Sequence, residues 1–242
     1  MAFETARFLH AGEAALVVEF GTTIDPIIHE RTLAFDRALA AARIEGVLEA
    51  VPTYRSVMVH FDPTLVEPHE LVEKLRTLPA PDPARGPSQR RWLVPVCYAP
   101  VFAEDLGFVA EALGLSPERV VALHSGATYR IYMYGFAPGC AYLGGLPAEL
   151  AISRRATPRP RTEANSVLIA GGQALVITVP MPTGWHILGR TPERFFSLGR
   201  DPVFLAAVGD QVQFDPVDER TFADLASRAE QGETVARILD PI

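Results

Sequence analysis

Residues 134–147 read Tyr-Gly-Phe-Ala-Pro-Gly-Cys-Ala-Tyr-Leu-Gly-Gly-Leu-Pro, and they constrain the fold of this 242-residue chain more than any other stretch. Four glycines and two prolines argue against a regular helix or strand, because glycine opens backbone angles closed to other residues and proline lacks an amide donor. The sequence therefore predicts one shaped loop, lined or anchored by its aromatic side chains. A second glycine- and proline-rich stretch, residues 180–192, predicts a second loop, and the two loops indicate two rims of one site.

Composition and charge exclude several classes of protein. The net charge of −7 argues against a general binder of nucleic acid or of an anionic membrane, since both need a basic surface. No apolar run approaches the roughly 18 residues of a membrane span, and the first residues lack a signal peptide, so we expect a cytoplasmic protein. Cys97 and Cys140 have no metal or redox spacing, which predicts two free thiols.

The first ninety residues alternate between β-prone and helical patterns. The predicted strands are residues 3–10, 14–20, 47–51, 56–61 and 92–97, with helices after Asp25-Pro26 and from Pro68. After the first strand, the order is β-α-β-β-α-β, which predicts a ferredoxin-like α+β sandwich.

Residues 79–91 predict a linker, because four prolines and a glycine among polar residues cannot contribute a core face. We therefore expect an N-terminal ferredoxin-like domain over residues 1–90 and a mainly β domain over residues 91–242. Short β-prone runs separated by glycine and proline follow residue 129, and a helix is predicted over residues 218–229. This pattern is typical of a closed or nearly closed barrel.

Several catalytic motifs are missing from the sequence. There is no phosphate loop ending in Gly-Lys-Ser/Thr, no Gly-x-Gly-x-x-Gly, no Gly-x-Ser-x-Gly and no His-Glu-x-x-His. The six histidines show no ligand spacing, so no metal site is predicted. The sequence thus argues against a self-sufficient nucleotide hydrolase or metalloenzyme.

The polar candidates lie around the two loops. His124 precedes the aromatic strand 129–134, where it is either a packing residue or an acid–base group facing the first loop. Arg159 lies in a cluster of arginines and prolines that is either a solvated loop or a clamp for a carboxylate or phosphate, and Arg190 is a similar candidate. Gln173 is either an exposed turn residue or an amide that orients a carbonyl. Trp185 is most simply a core or cavity wall.

The loop motifs resemble those of a known family. Residues 134–147, then 158–161, 166–173 and 184–192, closed by Gly209-Asp210, are similar to the allophanate hydrolase subunit 1 family. That family includes the B subunit of bacterial 5-oxoprolinase and proteins first described as sporulation-kinase inhibitors. The resemblance covers nearly the whole chain.

The resemblance implies a fold, partners and a reaction. It implies an α+β domain followed by a cyclophilin-like β-barrel, and a second subunit of related barrel fold, which some members carry in the same chain. A third, lactam-utilisation subunit would support ATP-dependent opening of 5-oxoproline to glutamate, so this chain would be a non-autonomous subunit that does not need its own phosphate loop.

Under this hypothesis, four residues carry catalytic roles: Arg159 and Arg190 hold a carboxylate or a phosphorylated intermediate, His124 transfers a proton, and Gln173 orients a carbonyl. The expected substrate-binding residues are Phe136, Pro138, Gly139, Tyr142, Gly184, Trp185 and Thr191. An alternative of a different class is a regulatory protein that inhibits a histidine kinase. Prolyl isomerase activity is a third alternative, for which the only warrant is likeness to cyclophilin.

Overall fold

The computed structural model describes residues 1–79 and 90–239. The chain divides into two compact units, Met1–Pro87 and Ser88–Ile242. Most of the predicted linker, residues 80–89, lies outside the described residues. Within the described ranges, no helix combines the length and the apolar character needed to cross a membrane.

The first unit is an antiparallel sheet with two helices. Its elements are β1 Ala2–His10, β2 Ala15–Gly21, α1 Pro26–Ala42, β3 Val47–Pro52, β4 Ser56–Phe61 and α2 Pro68–Arg76. Helix α1 begins as the sequence predicts: the Asp25 carboxylate accepts hydrogen bonds from the amides of Ile27 and Ile28, and Pro26 occupies the first turn. The sheet order is β1-β2-β4-β3, and the strands and helices share one apolar core.

The ferredoxin-like prediction for this unit is wrong. That fold requires the strand after α2 to return beside β2 in the same sheet. The place beside β2 is occupied by β1, through the hairpin that precedes α1. The strand after α2, β5 Arg91–Cys97, pairs instead within the sheet of the second unit. Local patterns predict the individual strands, but strand pairing is a long-range choice that those patterns do not encode.

The second unit is a barrel with accessory helices. After β5 come α3 Leu106–Leu113, α4 Pro117–Gly126, β6 Tyr129–Tyr134, β7 Ala141–Gly144, a short 3-10 helix Ala148–Leu150, β8 Arg159–Thr162, β9 Ser166–Ala170, β10 Gln173–Val176, β11 Met181–Thr183, β12 His186–Arg190, β13 Gln211–Val217, α5 Glu219–Glu230 and β14 Arg237–Leu239. Seven strands pair in the order β12-β9-β10-β7-β6-β13-β5, and pairing of β12 with β5 closes the ring. Closure leaves few free sheet edges.

Strands of the barrel are apolar on both faces, so they support two packed layers. Along β9, Val167 and Ile169 join the main core of the unit, to which α3 and α4 also contribute. Leu168 and Ala170 point to the other face and belong to a second cluster. This second cluster consists of Cys140, Leu168, Ala170, Leu175, Ile177, Met181, Trp185 and Ile187. It includes residues from both predicted loops.

Strand β7 corrects the prediction for residues 134–147. Residues 141–144 form a regular strand paired with β6 and β10, so the shaped loop is confined to residues 135–140. Only Gly135, Pro138 and Gly139 fall within that loop, while Gly144 and Gly145 end the strand. The glycine and proline content of the whole stretch conceals the four residues that pair as a strand.

Candidate functional site

The first loop, residues 135–140, is closed by its own backbone. The Gly135 amide donates to the Cys140 carbonyl at 3.2 Å, and the Cys140 amide donates to the Ala137 carbonyl at 3.1 Å. The Thr178 hydroxyl donates to the Pro138 carbonyl at 2.6 Å, which ties the loop to the segment after β10. The loop is therefore held in one shape by bonds at both its base and its tip.

Gly139 is required by both conformation and space. Its φ of 77° lies in the left-handed region, which favours glycine. A Cβ at this position would lie 2.2 Å from the Cβ of Phe196. The backbone of the first loop thus packs directly on the segment that follows β12, and only glycine permits that approach.

The predicted second loop, residues 180–192, is mostly strand: β11 and β12 lie within it, and only Gly184 and Trp185 separate them. This second-loop segment lies against the arginine-rich connection before β8. The Arg155 amide donates to the Gly184 carbonyl at 2.8 Å, and Thr183 pairs with Arg159 across the two-stranded sheet of β8 and β11. The Arg154 guanidinium carbon lies 5.6 Å from the ring centre of Trp185. The arginine cluster and the second loop are therefore one structure, and we call residues 154–162 within it the arginine strap.

Tyr142 and Arg154 both contact Trp185 in the second unit. The Tyr142 and Trp185 rings meet edge to face, with centres 6.2 Å apart. Burial raises the pKa of Tyr142, the nearby Cys140 thiol adds to the rise, and Arg154 partly offsets it. Among the described residues, no carboxylate pairs with Arg154, which is exposed. The exposed Arg154 guanidinium therefore lies over the ring of the buried Trp185.

Gln173 lies on the same face of the barrel as this group. Residues two apart in a strand share a face, so Gln173 points the same way as Leu175, a member of the second cluster with Trp185. Gln173 pairs with Ala170 in the β9–β10 hairpin. Strand β12, which pairs with the other side of β9, begins directly after Trp185. The structure therefore places the predicted residues Tyr142, Gln173 and Trp185 on one face of the barrel, where Tyr142 and Gln173 are partly exposed and Trp185 is buried.

Arg159 is held by carboxylates of its own chain. Its guanidinium donates to Glu104 at 2.7 Å and also to Asp105. Asp105 is buried, accepts a second arginine, Arg155, at 2.8 Å, and accepts the Ile187 amide at 2.8 Å. A single carboxylate therefore anchors the arginine strap to β12. The charge of Arg159 is already compensated internally.

Asp105 is the residue that sequence reasoning missed. Asp105 immediately precedes α3, yet its side chain makes no capping bond. Glu104-Asp105 interrupts an otherwise apolar stretch, and that pair of acids was the available signal. Its use as an anchor depends on arginines fifty residues away.

Arg190 and Thr191 lie where the barrel closes. Arg190 pairs with both Cys97 of β5 and Ser166 of β9, and its guanidinium carbon lies 5.4 Å from the Phe102 ring centre. Thr191 is buried, and its hydroxyl accepts a hydrogen bond from the Glu193 amide at 3.1 Å. The described contacts of both residues are with this junction and not with Tyr142 or Trp185.

His124 is part of the main core of the second unit. It is fully buried near the end of α4, joined through Nδ1 to the Tyr98 hydroxyl at 2.8 Å and stacked on Phe214 at 4.9 Å. Burial lowers its pKa to about 3, so the imidazole is neutral at physiological pH. This environment favours a packing role, one of the two interpretations that the sequence leaves open.

The remaining predicted residues belong to the loops themselves. Phe136 and Pro138 are exposed on the first loop, whereas Gly139 is buried beneath it. Gly184 contacts the arginine strap through its carbonyl. Within the described residues, no group of three or more His, Cys, Asp or Glu side chains could hold a metal ion.

Both a family model and individual relatives match most of the chain. Residues 6–206 match the family model described as "Carboxyltransferase domain, subdomain C and D". The chain is 32% identical over 222 residues to the B subunit of 5-oxoprolinase from Bacillus subtilis (strain 168), covering 87% of this chain and 92% of that protein. It is 34% identical over 220 residues to the 5-oxoprolinase B subunit of Escherichia coli O157:H7, covering 89% and 98% respectively.

A solved structure supports both the fold and the relationship. The crystal structure of TTHA0988 superposes with a TM-score of 0.75 at 34% identity, covering 84% of this chain and 40% of the TTHA0988 chain. The chain thus spans less than half the length of that relative. These matches confirm the resemblance drawn from the loop motifs, and this chain belongs to the carboxyltransferase domain, subdomain C and D family, in which its relatives include the 5-oxoprolinase B subunits.

Proposed function

We propose that this chain is a non-autonomous subunit of an ATP-dependent complex that hydrolyses a lactam, with 5-oxoproline as substrate and glutamate as product. The observation that carries the proposal is its similarity, at 32% and 34% identity over nearly full length, to two proteins named as B subunits of 5-oxoprolinase. In this reaction, water adds to the lactam carbonyl, the ring C–N bond breaks, and the nitrogen takes up a proton.

The group of Tyr142, Trp185 and Arg154 fits a small cyclic acid. An arginine guanidinium pairs with a planar carboxylate through two hydrogen bonds, and Arg154 is exposed for such a partner. The partly exposed Tyr142 ring offers an apolar surface for the methylene edge of a lactam ring, and the buried Trp185 ring supports Tyr142 through an edge-to-face contact. Gln173, on the same face, would donate its amide to the lactam carbonyl. Gly184 supports this face by fixing the arginine strap.

The other predicted residues take supporting roles in this proposal. Arg159 is bound to Glu104 and Asp105, so it would position the arginine strap and thereby Arg154. Arg190 and Thr191 would maintain the junction between β12 and β5. His124, neutral and buried, would maintain the main core.

The need for partners follows from the chemistry of the described side chains near the site. Asp105 and Glu104 are engaged by arginines, and His124 is enclosed, so none of these three is a ready general base. The sequence contains no phosphate loop of the Gly-Lys-Ser/Thr type for ATP. We therefore assign ATP and the base to a second barrel subunit and a lactam-utilisation subunit.

Reconstitution tests the proposal. The chain is expressed with the proteins encoded beside its gene, and glutamate formation from 5-oxoproline is measured with and without ATP, omitting each subunit in turn. We expect activity only when this chain and ATP are both present. A stable complex that forms glutamate without this chain would contradict the proposal. A complex formed with a sensor kinase instead would favour the regulatory alternative.

A substitution then tests the placement of the substrate. Arg154→Gln removes the guanidinium and keeps a polar side chain of similar length. Because hydrogen bonds to charged groups contribute about 1.5–3 kcal/mol, we expect kcat/KM of the complex to fall roughly 10- to 100-fold, mostly through KM. Arg119→Gln, at an exposed arginine of α4, is the matched control and should leave kcat/KM unchanged. Equal kinetics for the two variants would remove Arg154 from the site.

A further inference from the structure

A continuous apolar surface lies on the outer side of the first loop. Two shallow grooves, of about 370 and 300 Å³, share Tyr134 and Phe204 as common walls. The first groove runs along residues 134–139, and Phe136 projects there with 78% of its surface exposed. The second groove continues past Pro202 to residues 206–208. We call Tyr134, Phe136, Pro138, Pro202 and Phe204 the apolar ledge.

The apolar ledge is fixed in place by the barrel. The Tyr134 hydroxyl donates to the Ala206 carbonyl at 2.9 Å, and the Tyr134 and Phe204 rings pack with centres 4.7 Å apart. The backbones of Phe204 and Phe196 form an isolated antiparallel β-bridge, and Phe196 packs against Gly139 at the base of the first loop. The surface is therefore preorganised, which reduces the entropic cost of binding.

Phe136 is displayed against a backbone preference. Its φ of 68° lies in the left-handed region, which is disfavoured for bulky residues. Within the isolated chain, the mostly exposed ring gains little burial that would offset this strain. A strained, exposed aromatic residue at a loop tip indicates a binding role, because strain at such positions persists where function needs it.

The chemistry of the apolar ledge selects a protein as its occupant. The grooves are too shallow to enclose a small molecule. Arg90 is the only charged residue among their described lining, and it pairs with Asp210 at 3.4 Å, so the surface does not suit nucleic acid. A second copy is disfavoured because each chain carries a net charge of −7. An uncharged, aromatic-rich patch is typical of the centre of a protein–protein interface.

We propose that the apolar ledge binds the second barrel subunit of the complex, through an uncharged surface with a pocket that receives the Phe136 ring. This inference rests on the proposed function, which requires such a subunit. The matched TTHA0988 chain is consistent with it, because this chain corresponds to only 40% of that length.

Docking at the apolar ledge places the partner beside the candidate site. The Pro138 carbonyl of the first loop accepts a hydrogen bond from the Thr178 hydroxyl, after β10. Cys140, at the end of the loop, lies in the second cluster together with Trp185. A partner seated on Phe136 therefore reaches the edge of the face that carries Tyr142. That position allows the partner to contribute a general base to the site.

Two substitutions separate binding from folding. Phe136→Gly removes the ring and also relieves the positive φ, and Phe136→Asn keeps a side chain that tolerates this conformation. We expect both variants to fold at least as stably as the wild type. For each variant, we expect the dissociation constant for the second barrel subunit to rise roughly 30-fold or more, as for loss of a buried aromatic anchor. Val101→Ser, at an exposed apolar residue away from the apolar ledge, is the control and should bind normally.

The outcomes distinguish this inference from the proposed function. The dissociation constants are measured by biolayer interferometry with the purified subunit, and self-association of the chain by analytical ultracentrifugation. If the complex forms and hydrolyses 5-oxoproline but both Phe136 variants bind like the wild type, the apolar ledge is not the interface while the proposed function stands. Self-association that the Phe136 variants abolish would overturn the choice of partner. Failure to form any complex would overturn both proposals together.

Discussion

At the scale of single residues, burial decides what a titratable side chain can do. His124 and Arg154 are both polar residues close to the loops in sequence, yet one is enclosed by Tyr98, Tyr129 and Phe214 and the other is exposed on Trp185. The enclosed imidazole loses its charge because desolvation penalises the cation. The exposed guanidinium keeps its charge and remains available for an anion.

The pH dependence of stability follows from His124. Its folded pKa, about 3, lies below the value near 6.5 of an unfolded histidine. Between these values, the unfolded chain binds a proton that the folded chain refuses, so the free energy of unfolding falls as the pH falls from 6.5 toward 3. The loss from this group should reach roughly 2–3 kcal/mol by pH 4.5.

His124→Asn tests this prediction. Asparagine keeps a polar atom for the Tyr98 hydroxyl but cannot titrate, so the variant should be less stable at neutral pH and lose less stability on acidification. Urea unfolding between pH 7 and 4.5, followed by tryptophan fluorescence, reports the second unit, which contains both Trp92 and Trp185. Parallel pH profiles for the two proteins would show that His124 does not titrate as described.

At the scale of elements, the first loop shows how backbone and packing act together. Gly139 and Gly171 both have positive φ, 77° and 57° respectively. A Cβ at Gly139 would collide with Phe196, whereas a Cβ at Gly171 would meet nothing within 4 Å. The two positions therefore separate the cost of conformation from the cost of collision.

Gly139→Ala should destabilise the second unit more than Gly171→Ala. An alanine in the left-handed region costs about 1–2 kcal/mol, which is the whole effect expected at Gly171. At Gly139, displacement of Phe196 adds a further cost of roughly 1–3 kcal/mol, typical of overpacking. Urea unfolding followed by tryptophan fluorescence measures both. Equal destabilisation would mean that the loop moves freely away from Phe196.

At the scale of the whole molecule, the chain has separate cores in its two units. The core of the first unit includes Leu71 of α2 together with strands of the four-stranded sheet. The barrel unit has the main core and the second cluster, which includes Leu168. Tryptophan occurs only in the second unit, so fluorescence reports that unit alone, whereas circular dichroism reports the secondary structure of both units.

Leu71→Ala should therefore be nearly silent in tryptophan fluorescence. Removing a fully buried leucine costs about 2–5 kcal/mol, and that loss should appear in the circular dichroism transition of the first unit. Leu168→Ala, at an equally buried leucine, is the matched control and should shift the fluorescence transition instead. A fluorescence transition that moves equally in both variants would show that the units unfold as one.

Much of the local structure could be predicted from sequence, because it depends on neighbouring residues. Asp25 and Ser116 cap helices α1 and α4 before prolines, as their order along the chain indicates. The turns at residues 135–140 and 184–185 are evident from their glycines and proline, although the strands beside them are not, and the family is evident from the order of the motifs. Tyr142, Gln173 and Trp185 lie on one face of the barrel, and their role as rims of one site stays a prediction.

The sequence by itself determined the family, the positions of the tight turns and most helix starts, since each rests on residues close together in the chain. Only the tertiary structure decided that β1 takes the place beside β2, that β12 closes the barrel on β5, and that Asp105 anchors two arginines. It also decided that His124 is enclosed while Arg154 is exposed. These outcomes depend on pairing and burial between residues far apart in sequence, where local propensity carries no information.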